Sequence, residues 1–563
     1  MDRVDLKNVL PITDWFGEYN AAWLRSDLVA GATVAAAVIP EGMAYASLAG
    51  LPLETGLYAS LAAVTAYLFV GTSKQVIVGP TSALAVLLVT QVGAVAANGP
   101  RTYLTLVGVT TLLVGAIALV GWLFRLGFVM NFISESVLTG FSAGAALFIM
   151  STQLTTLLGL DSTTGQFYER VWYVLTTLSQ VQATTAALGI GAIVLLVAGE
   201  RFAPRVPSAL VVVTLAIVLV RTTAIEERGV AVVGTIPSGL PSITVPAAPP
   251  STIVELLPVA LALFVLSYVE GMSAVETFAQ RHKYRIDPDQ ELLATGLTNV
   301  LSGLIQGFVV GGSMSKSALN DAVGGRTQAV NAVIAVMLVL VLLFLTGVLA
   351  ALPETALAAV VIVAVTKLID VAEFRRLWRA DRWEFLTAAV ALLSVLLVGL
   401  LYGVFVGVLI SVLVVLGRVT YPHTAELGRR QGSDEFTDIV RHPTDERIPG
   451  VFVYRVDAEL FFANAPTVRH DLLDRIETSS DPVGLVVFDM RSSPTIDLTA
   501  ADMLADLHDR LAHQNVDLRL AEANGAVRDT LVAADTAHPL CETPANQAVE
   551  AVIDQWQTTQ HPS

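Results

Sequence analysis

Between Leu28 and Thr420, apolar runs of roughly 20 residues recur, the length at which a helix crosses the hydrocarbon core of a bilayer. No other feature of the chain restricts its fold as much. Backbone polar groups in a bilayer have no water to bond, so each run must close its own hydrogen bonds as a helix. After Tyr421 the apolar runs shorten to strand length and charged residues return. The 563-residue chain is 54% hydrophobic and only 15% charged, which excludes an ordinary soluble domain. Its expected parts are a cytoplasmic N-terminal segment (1–27), a transmembrane domain (28–420), a linker (421–446) and a cytoplasmic domain (447–563).

The runs and their interruptions resolve into about fourteen segments, starting near Leu28, Thr55, Pro80, Tyr103, Asn131, Thr184, Val206, Ile253, Gln290, Ser315, Thr327, Glu354, Glu384 and Leu401. Basic residues support that count. Loops after even-numbered segments hold Lys74, Arg125, Arg201, Arg205, Arg281, Lys283, Arg285, Arg326, Lys367, Arg375, Arg376, Arg379 and Arg382, whereas loops after odd-numbered segments hold Arg101, Arg170, Arg221 and Arg228. Positive residues mark cytoplasmic loops, so both termini are expected inside, in a multi-pass protein of the cell (inner) membrane. The first 27 residues lack the apolar core of a signal peptide, and the first segment is expected to act as the insertion signal.

The net charge of −16 says little about the membrane part. Residues 431–563 alone contain 23 Asp and Glu, 9 Arg and no Lys, a net of 9 − 23 = −14. No basic stripe is present to meet nucleic-acid phosphates. The single cysteine, Cys541, rules out an internal disulfide and a cysteine-based metal site. No cofactor motif and no nucleotide-binding P-loop occur, and no membrane-embedded nucleophile and base pair can be picked out, so an enzyme is not expected.

Prolines 237, 241, 246, 249 and 250 mark the loop from Thr222 to Ser251 as an extended outer linker with seven spans on each side. Halves of seven spans enter the membrane from opposite faces, which is the inverted-repeat arrangement in which corresponding broken helices meet near the midplane. Segment three opens at Gly79-Pro80-Thr81-Ser82. Segment ten opens at Gly311-Gly312-Ser313-Met314-Ser315 and is interrupted at Gly324-Gly325. Half-helices starting inside the membrane turn their unpaired N–H groups and positive dipole ends inward, forming an anion site. Thr81, Ser82, Ser313 and Ser315 are candidate substrate ligands, and Lys316 adds a full charge. The competing reading is that the glycines allow close packing and the serines cap helices.

Two carboxylates are candidates for coupling ions. Glu41 lies about halfway along the first span, where it is expected either to carry a proton or to pair with Lys316. Glu270 shares one helical face with Ser267, Ser273 and Thr277; Glu270 with Ser273 suits a cavity wall or a Na⁺ site built from oxygens, unless the hydroxyls merely bond back to helix carbonyls. Glu276 reads as an ion-pair partner for the basic loop 281–285. Asn299 reads as an orderer of the neighbouring broken helix or as interhelical glue. In the tail, strands at Val451–Val456, Leu485–Phe488 and Val516–Ala521 alternate with helices at Leu498–Leu511 and near Val527 and Val549. Asp497 or Thr499 is the expected N-cap, with T-x-x-D fitting a capping box, and Thr499 is also a candidate for regulatory phosphorylation.

With these residues on the page, the chain resembles the SulP (solute carrier 26) anion transporter family nearly end to end. The motifs are Pro40-Glu41-Gly42-Met43-Ala44-Tyr45-Ala46, Gly71-Thr72-Ser73-Lys74 with Gly79-Pro80, Gly140-Phe141-Ser142-Ala143-Gly144, Ile236-Pro237-Ser238-Gly239-Leu240-Pro241, Gln290-Glu291-Leu292, Gly312-Ser313-Met314-Ser315-Lys316-Ser317 and Phe461-Phe462-Ala463-Asn464-Ala465. The helix start at Asp497–Thr499 resembles the switch region of a STAS domain. The resemblance implies a fourteen-segment 7+7 inverted repeat, a core domain moving against a gate domain, an anion site between segments three and ten, and a homodimer. Many members of the family have Gln at the position of Glu41 and Arg at that of Lys316. Lysine cannot make arginine's bidentate fork, and Glu41 would repel an anion unless neutralised. The expected function is secondary transport of sulfate, bicarbonate or a dicarboxylate coupled to H⁺ or Na⁺. The alternatives are an anion-binding sensor, a motor, a channel or a nucleobase permease.

Overall fold

The computed structural model describes residues 11–13, 17 and 19–560, except 98–102, 129–133, 162, 164, 204–206, 224, 480, 536–537 and 543. The chain divides into two compact units, Met1–Ser411 and Val412–Ser563.

The first unit is helical. Its first half contains α1 (Ala21–Leu48), α2 (Leu53–Val70), a two-residue strand β1 (Val78–Gly79), α3 (Ser82–Ala97), α4 (Tyr103–Leu123), α5 (Glu135–Leu158), α6 (Phe167–Thr176), α7 (Ala183–Phe202) and α8 (Ser208–Thr222). The second half repeats the order with α9 (Pro250–His282), α10 (Pro288–Leu304), β2 (Gly311–Gly312), α11 (Met314–Val323), α12 (Ala329–Leu340), α13 (Glu354–Thr366), α14 (Val371–Ala380), α15 (Arg382–Val398) and α16 (Leu400–Thr420). A π-helical stretch, Val341–Leu345, carries α12 on to Leu349. Each of the fourteen expected segments corresponds to one helix. The starts expected at Asn131 and Val206 fall outside the described residues; the helices there begin at Glu135 and Ser208.

Helices α6 and α14 were not expected. Each has ten residues and follows the fifth segment of its half, so the pair itself obeys the repeat. Both are too short and too polar to register as spans. Packing follows the same symmetry: α1 lies on α12 as α9 lies on α4, and α2 packs on α10. A second bundle is formed by α5 and α7 with α13 and α15, with its own apolar cluster around Leu157, Leu196, Val212 and Val360. Its tightest crossing runs through the Gly140-x-x-x-Gly144 pair of α5. A Cβ on Gly140 would stand 1.9 Å from the Ala388 carbonyl oxygen of α15, so only glycine permits this backbone approach. The proline-rich loop between the halves runs over helix ends, with Val233 N–H donating to Leu352 O, Gly239 N–H to Leu342 O and Thr244 N–H to Leu304 O.

The second unit contains a five-stranded sheet in the order β4-β3-β5-β6-β7. Its strands are β3 (Thr424–Arg429), β4 (Phe436–Asp438), β5 (Val451–Val456), β6 (Leu485–Asp489) and β7 (Asp517–Ala521). β5, β6 and β7 are parallel, whereas β3 is antiparallel to both β4 and β5. Residues 421–446 are therefore not a linker: they supply two strands, which their charged, short sequence disguised. The boundary between the units falls within α16 rather than after it. Helices α17 (Ala465–Glu477), α18 (Leu498–Ala512) and α19 (Gly525–Ala534) pack with the apolar cluster around Tyr454 and Phe488. α20 (Val549–Gln560) packs its Val552 and Ile553 with Val453 and Val487. Alternate residues of β5 and β6 thus belong to separate cores, as burial on both sheet faces requires.

Asp471 on α17 fastens this unit. Its Oδ2 accepts from Thr424 Oγ1 at 2.8 Å, Tyr454 Oη at 2.8 Å and Arg475 Nε at 2.9 Å. Burial raises its pKa, but these donors outweigh that effect and hold it below the usual carboxylate value. A depressed folded-state pKa stabilises above the unfolded value near 4, and that stability is lost as pH falls through the folded one. Asp471→Asn should therefore destabilise the tail by about 1–2 kcal/mol at neutral pH. The difference should shrink as the medium is acidified below about pH 4, as measured by hydrogen exchange of β3 and β5 in the full-length protein. Gly140→Leu should lower the melting temperature of the detergent-solubilised protein by several degrees, whereas Gly347→Ala, where no atom lies within 4 Å of an added Cβ, should not.

Candidate functional site

Helix α11 has ten residues and α3 sixteen, or about 15 and 24 Å of rise. Neither reaches across roughly 30 Å of hydrocarbon. Both begin beside the antiparallel pair β1–β2, in which Val78 faces Gly312 and Gly79 faces Gly311. The ladder extends by Ser313 N–H donating to Ile77 O at 3.0 Å. The pairing satisfies backbone that would otherwise be orphaned inside the unit, and it holds the two helix N-termini opposite each other.

Neighbouring side chains lock these strands. Asn299 on α10 accepts from Val310 N–H at 3.0 Å and donates to Val310 O at 3.1 Å, so it orders the entry to β2. Ser267 donates to the same carbonyl at 2.7 Å. Glu291, only 4% exposed, accepts from Thr72 N–H at 2.8 Å, Thr72 Oγ1 at 2.5 Å and Tyr67 Oη at 3.1 Å, gripping the loop before β1. Asp27 on α1, with no exposed surface, accepts from Arg326 N–H, Thr327 N–H and Thr327 Oγ1 and grips the loop after α11. In the sequence, Glu291 stands out only within a family motif and Asp27 not at all. A buried carboxylate that needs several donors was the available signal.

At the α3 end, Thr81 Oγ1 accepts from Leu84 N–H and donates to Glu270 Oε2 at 3.0 Å. At the α11 end, Ser313 is the N-cap: its Oγ accepts from Lys316 N–H at 3.5 Å and lies 3.4 Å from Ser315 Oγ. Thr81, Ser82, Ser313 and Ser315 all line one cavity of about 480 Å³, together with Tyr45, Glu270 and Ser273. The far wall comes from the second bundle, through Leu138, Thr139 and Ser142 of α5 and Ala364 of α13.

Lys316 and Glu41 are placed differently from the rest. The Lys316 ammonium does not line the cavity. Its side chain is 1% exposed, donates to Pro80 O at 2.8 Å, sits 5.4 Å from the Tyr45 ring centroid and lies 3.9 Å from Glu41 Oε2. It crosses behind the paired strands and ties α11 to the start of α3. The expected Glu41–Lys316 pairing is present, although Glu41 Oε2 has no hydrogen-bond donor. Lys316 is within electrostatic range of both Glu41 and Glu270. Lys316 thus stands against the two carboxylates Glu41 and Glu270, while Glu135, Lys367, Asp370 and Glu373 also line the cavity.

Of the polar stripe on α9, Glu270 and Ser273 face the cavity, Ser267 bonds Val310 O, and Thr277 bonds back to Ser273 O. Arg281 pairs with Asp321 at 2.7 Å rather than with Glu276, which is exposed. In the tail, the N-cap of α18 is Asp497, which accepts from Ala500 N–H at 2.8 Å. The proposed T-x-x-D box is not formed, because Thr499 lies in the first turn, exposed.

Residues 24–391 match the model of the sulfate permease family and residues 442–545 that of the STAS domain. The chain belongs to the sulfate permease family. A probable sulfate transporter of Mycobacterium tuberculosis is 38% identical over 519 residues, covering 92% of this chain and 93% of the relative. High affinity sulfate transporter 2 of Stylosanthes hamata is 29% identical over 568 residues, covering 95% and 84%. Among solved structures, the murine solute carrier 26 family member A9 anion transporter, in an inward-facing state, superposes with a TM-score of 0.89 at 22% identity, covering 99% of this chain and 96% of that one. The transmembrane domain of the cyanobacterial bicarbonate transporter BicA superposes with a TM-score of 0.60 at 21% identity, covering 70% and 98%. The chain is thus a multi-pass membrane protein with a STAS domain, and its relatives are named as transporters rather than enzymes.

A Cβ on Gly312 would stand 2.6 Å from Gly271 Cα of α9, so a side chain there must push β2 away from its partner. Gly312→Ala should loosen the β1–β2 pair while leaving the far-UV circular dichroism spectrum unchanged, as measured by faster hydrogen exchange of residues 311–313.

Proposed function

We propose that this protein is a secondary active transporter of small anions (sulfate, bicarbonate or a dicarboxylate), working from the inner membrane as a homodimer with both termini in the cytoplasm. The observation that carries the reading is the shared cavity between the N-termini of α3 and α11. Each helix end contributes about half a positive charge, and Thr81, Ser82, Ser313 and Ser315 supply hydroxyl donors. Lys316 supplies its charge from behind the strands, too deeply buried to touch the anion. Recognition by backbone and hydroxyls is tolerant of shape, in keeping with relatives named for sulfate and for bicarbonate.

Charge balance supports coupling to a cation. Ionised Glu41 and Glu270 beside Lys316 leave one negative charge over among these three buried groups, and Glu135, Lys367, Asp370 and Glu373 line the same cavity. Glu270 is bonded to Thr81 at the α3 N-terminus, where it competes with the substrate for the same dipole. Binding an anion then favours neutralising a carboxylate with H⁺, or with Na⁺ held by Glu270 and Ser273. The bundle of α1–α4 with α9–α12 carries the half-helices and would slide as one body against the α5, α7, α13 and α15 bundle, exposing the cavity to each side in turn. In the tail, a phosphate on Thr499 would meet the positive end of α18, giving the second unit a regulatory input.

The test is uptake of radiolabelled sulfate and bicarbonate into proteoliposomes under separate pH and Na⁺ gradients. Lys316→Ala should weaken anion binding about tenfold or more, equal to ~1.4 kcal/mol. Glu270→Gln should still bind anion but no longer respond to the driving gradient, and Glu41→Gln should shift the gradient dependence without abolishing binding. Saturable binding with no flux under any gradient would instead identify a sensor or motor, and flux without saturation a channel.

A further inference from the structure

The second unit holds a cluster of metal-ligand type that anion transport does not use. His508 and Asp509 lie on α18, and His538 comes from the separate segment that leads into the turn Pro539–Glu542. Their ligand atoms all lie within 4.8 Å of one another. Asp509 Oδ1 is the hinge of the group, 3.2 Å from His508 Nδ1 and 3.6 Å from His538 Nε2. The two imidazoles meet edge to face with centroids 5.0 Å apart, so their nitrogens converge on the carboxylate instead of stacking.

These distances carry the argument. Zinc–nitrogen and zinc–carboxylate bonds of roughly 2.0–2.2 Å in a tetrahedron set ligand atoms roughly 3.3–3.6 Å apart, and the two measured edges straddle that span. The longer one is too long for a hydrogen bond, and among the described residues His538 Nε2 is accordingly buried without a partner. A buried polar atom left unsatisfied calls for an explanation, and a shared ion supplies one. His538 is 12% exposed and His508 19%, whereas Asp509 is 69% exposed, so the cluster has two sheltered ligands and one open side for entry and for a water in the fourth position.

We propose that His508, Asp509 and His538 form a binding site for a divalent transition metal of the zinc class, which fastens the end of α18 to the 538–542 turn. Two imidazoles and a carboxylate suit Zn²⁺ and related ions better than Ca²⁺ or Mg²⁺, which take oxygen ligands. Ligation through Nε2 places the His538 proton on Nδ1, so the 3.2 Å bond that Nδ1 accepts from Leu540 N–H is given up on loading. The turn should therefore register the metal directly.

The test titrates the full-length, detergent-solubilised protein with chelator-buffered Zn²⁺, followed by metal analysis and by hydrogen exchange of residues 538–542. One zinc per chain is expected, with altered exchange in that turn. His508→Ala, His538→Ala and Asp509→Asn should each weaken binding by about tenfold or more. Asp509→Asn, at an exposed position, guards against a variant that merely unfolds. His470→Ala, which removes an exposed His–Asp pair with Asp474 at 3.4 Å, should bind zinc as the parent does. Substoichiometric zinc, binding unchanged by the three variants, or a turn that responds to acidification but not to zinc would overturn the proposal. The last result would identify a hydrogen-bonded His–Asp–His pH element in its place.

Discussion

Two residues of β1 paired with two of β2 are the contact on which the membrane unit depends. A half-helix that starts inside a bilayer exposes N–H groups that neither lipid nor its own turns can satisfy. The strand pair removes that cost for the residues leading into α3 and α11 and leaves only the helix ends facing the cavity. Its shortness matters, because a longer ladder would bury those ends. Asn299, Glu291 and Asp27 then act as clamps on the loops around the pair, Asn299 on backbone 11 residues away and Glu291 and Asp27 on backbone 219 and 299 residues away. These clamps fix the site within one bundle.

The buried charges are better explained by function than by stability. At 3.9 Å and an effective dielectric near 20, Lys316 and Glu41 attract by about 4 kcal/mol. The desolvation of two buried ions costs several kcal/mol each, so the pair gains nothing over apolar residues of similar size. What it provides is a fixed positive charge beside the helix ends and, under the function proposed above, a carboxylate whose neutralisation is linked to an anion's arrival. Glu270, held by Thr81 at the start of α3, lines the cavity itself.

The tail follows a different logic. Its sheet is covered on both faces, so strands read as continuous apolar runs and were legible at Val451–Val456 and Leu485–Phe488. β3 and the edge strand β4 were not, because their short, charged sequences resemble a linker. Helix α17 was missed for a similar reason: His470, Asp471, Asp474 and Arg475 lower its hydrophobicity, although Asp471 and Arg475 bond to each other and to Thr424. In the membrane unit, α6 and α14 escaped because they are amphipathic and too short to span.

By itself the sequence determined the number of the spans, the two-part organisation, the inverted halves and the identity of both broken helices. These follow from hydropathy, loop charge and glycine placement, which are local and need no partner to be read. Only the tertiary structure decided which groups face the cavity. Thr81, Ser82, Ser313, Ser315, Glu270 and Ser273 line it, while Lys316 and Glu41 stand behind it, because a side chain's direction depends on where the strands and helices cross. The grip of Asp27 and Glu291 was likewise invisible, since each acts on backbone some 220 to 300 positions away, and no periodicity records a contact made through a main-chain N–H.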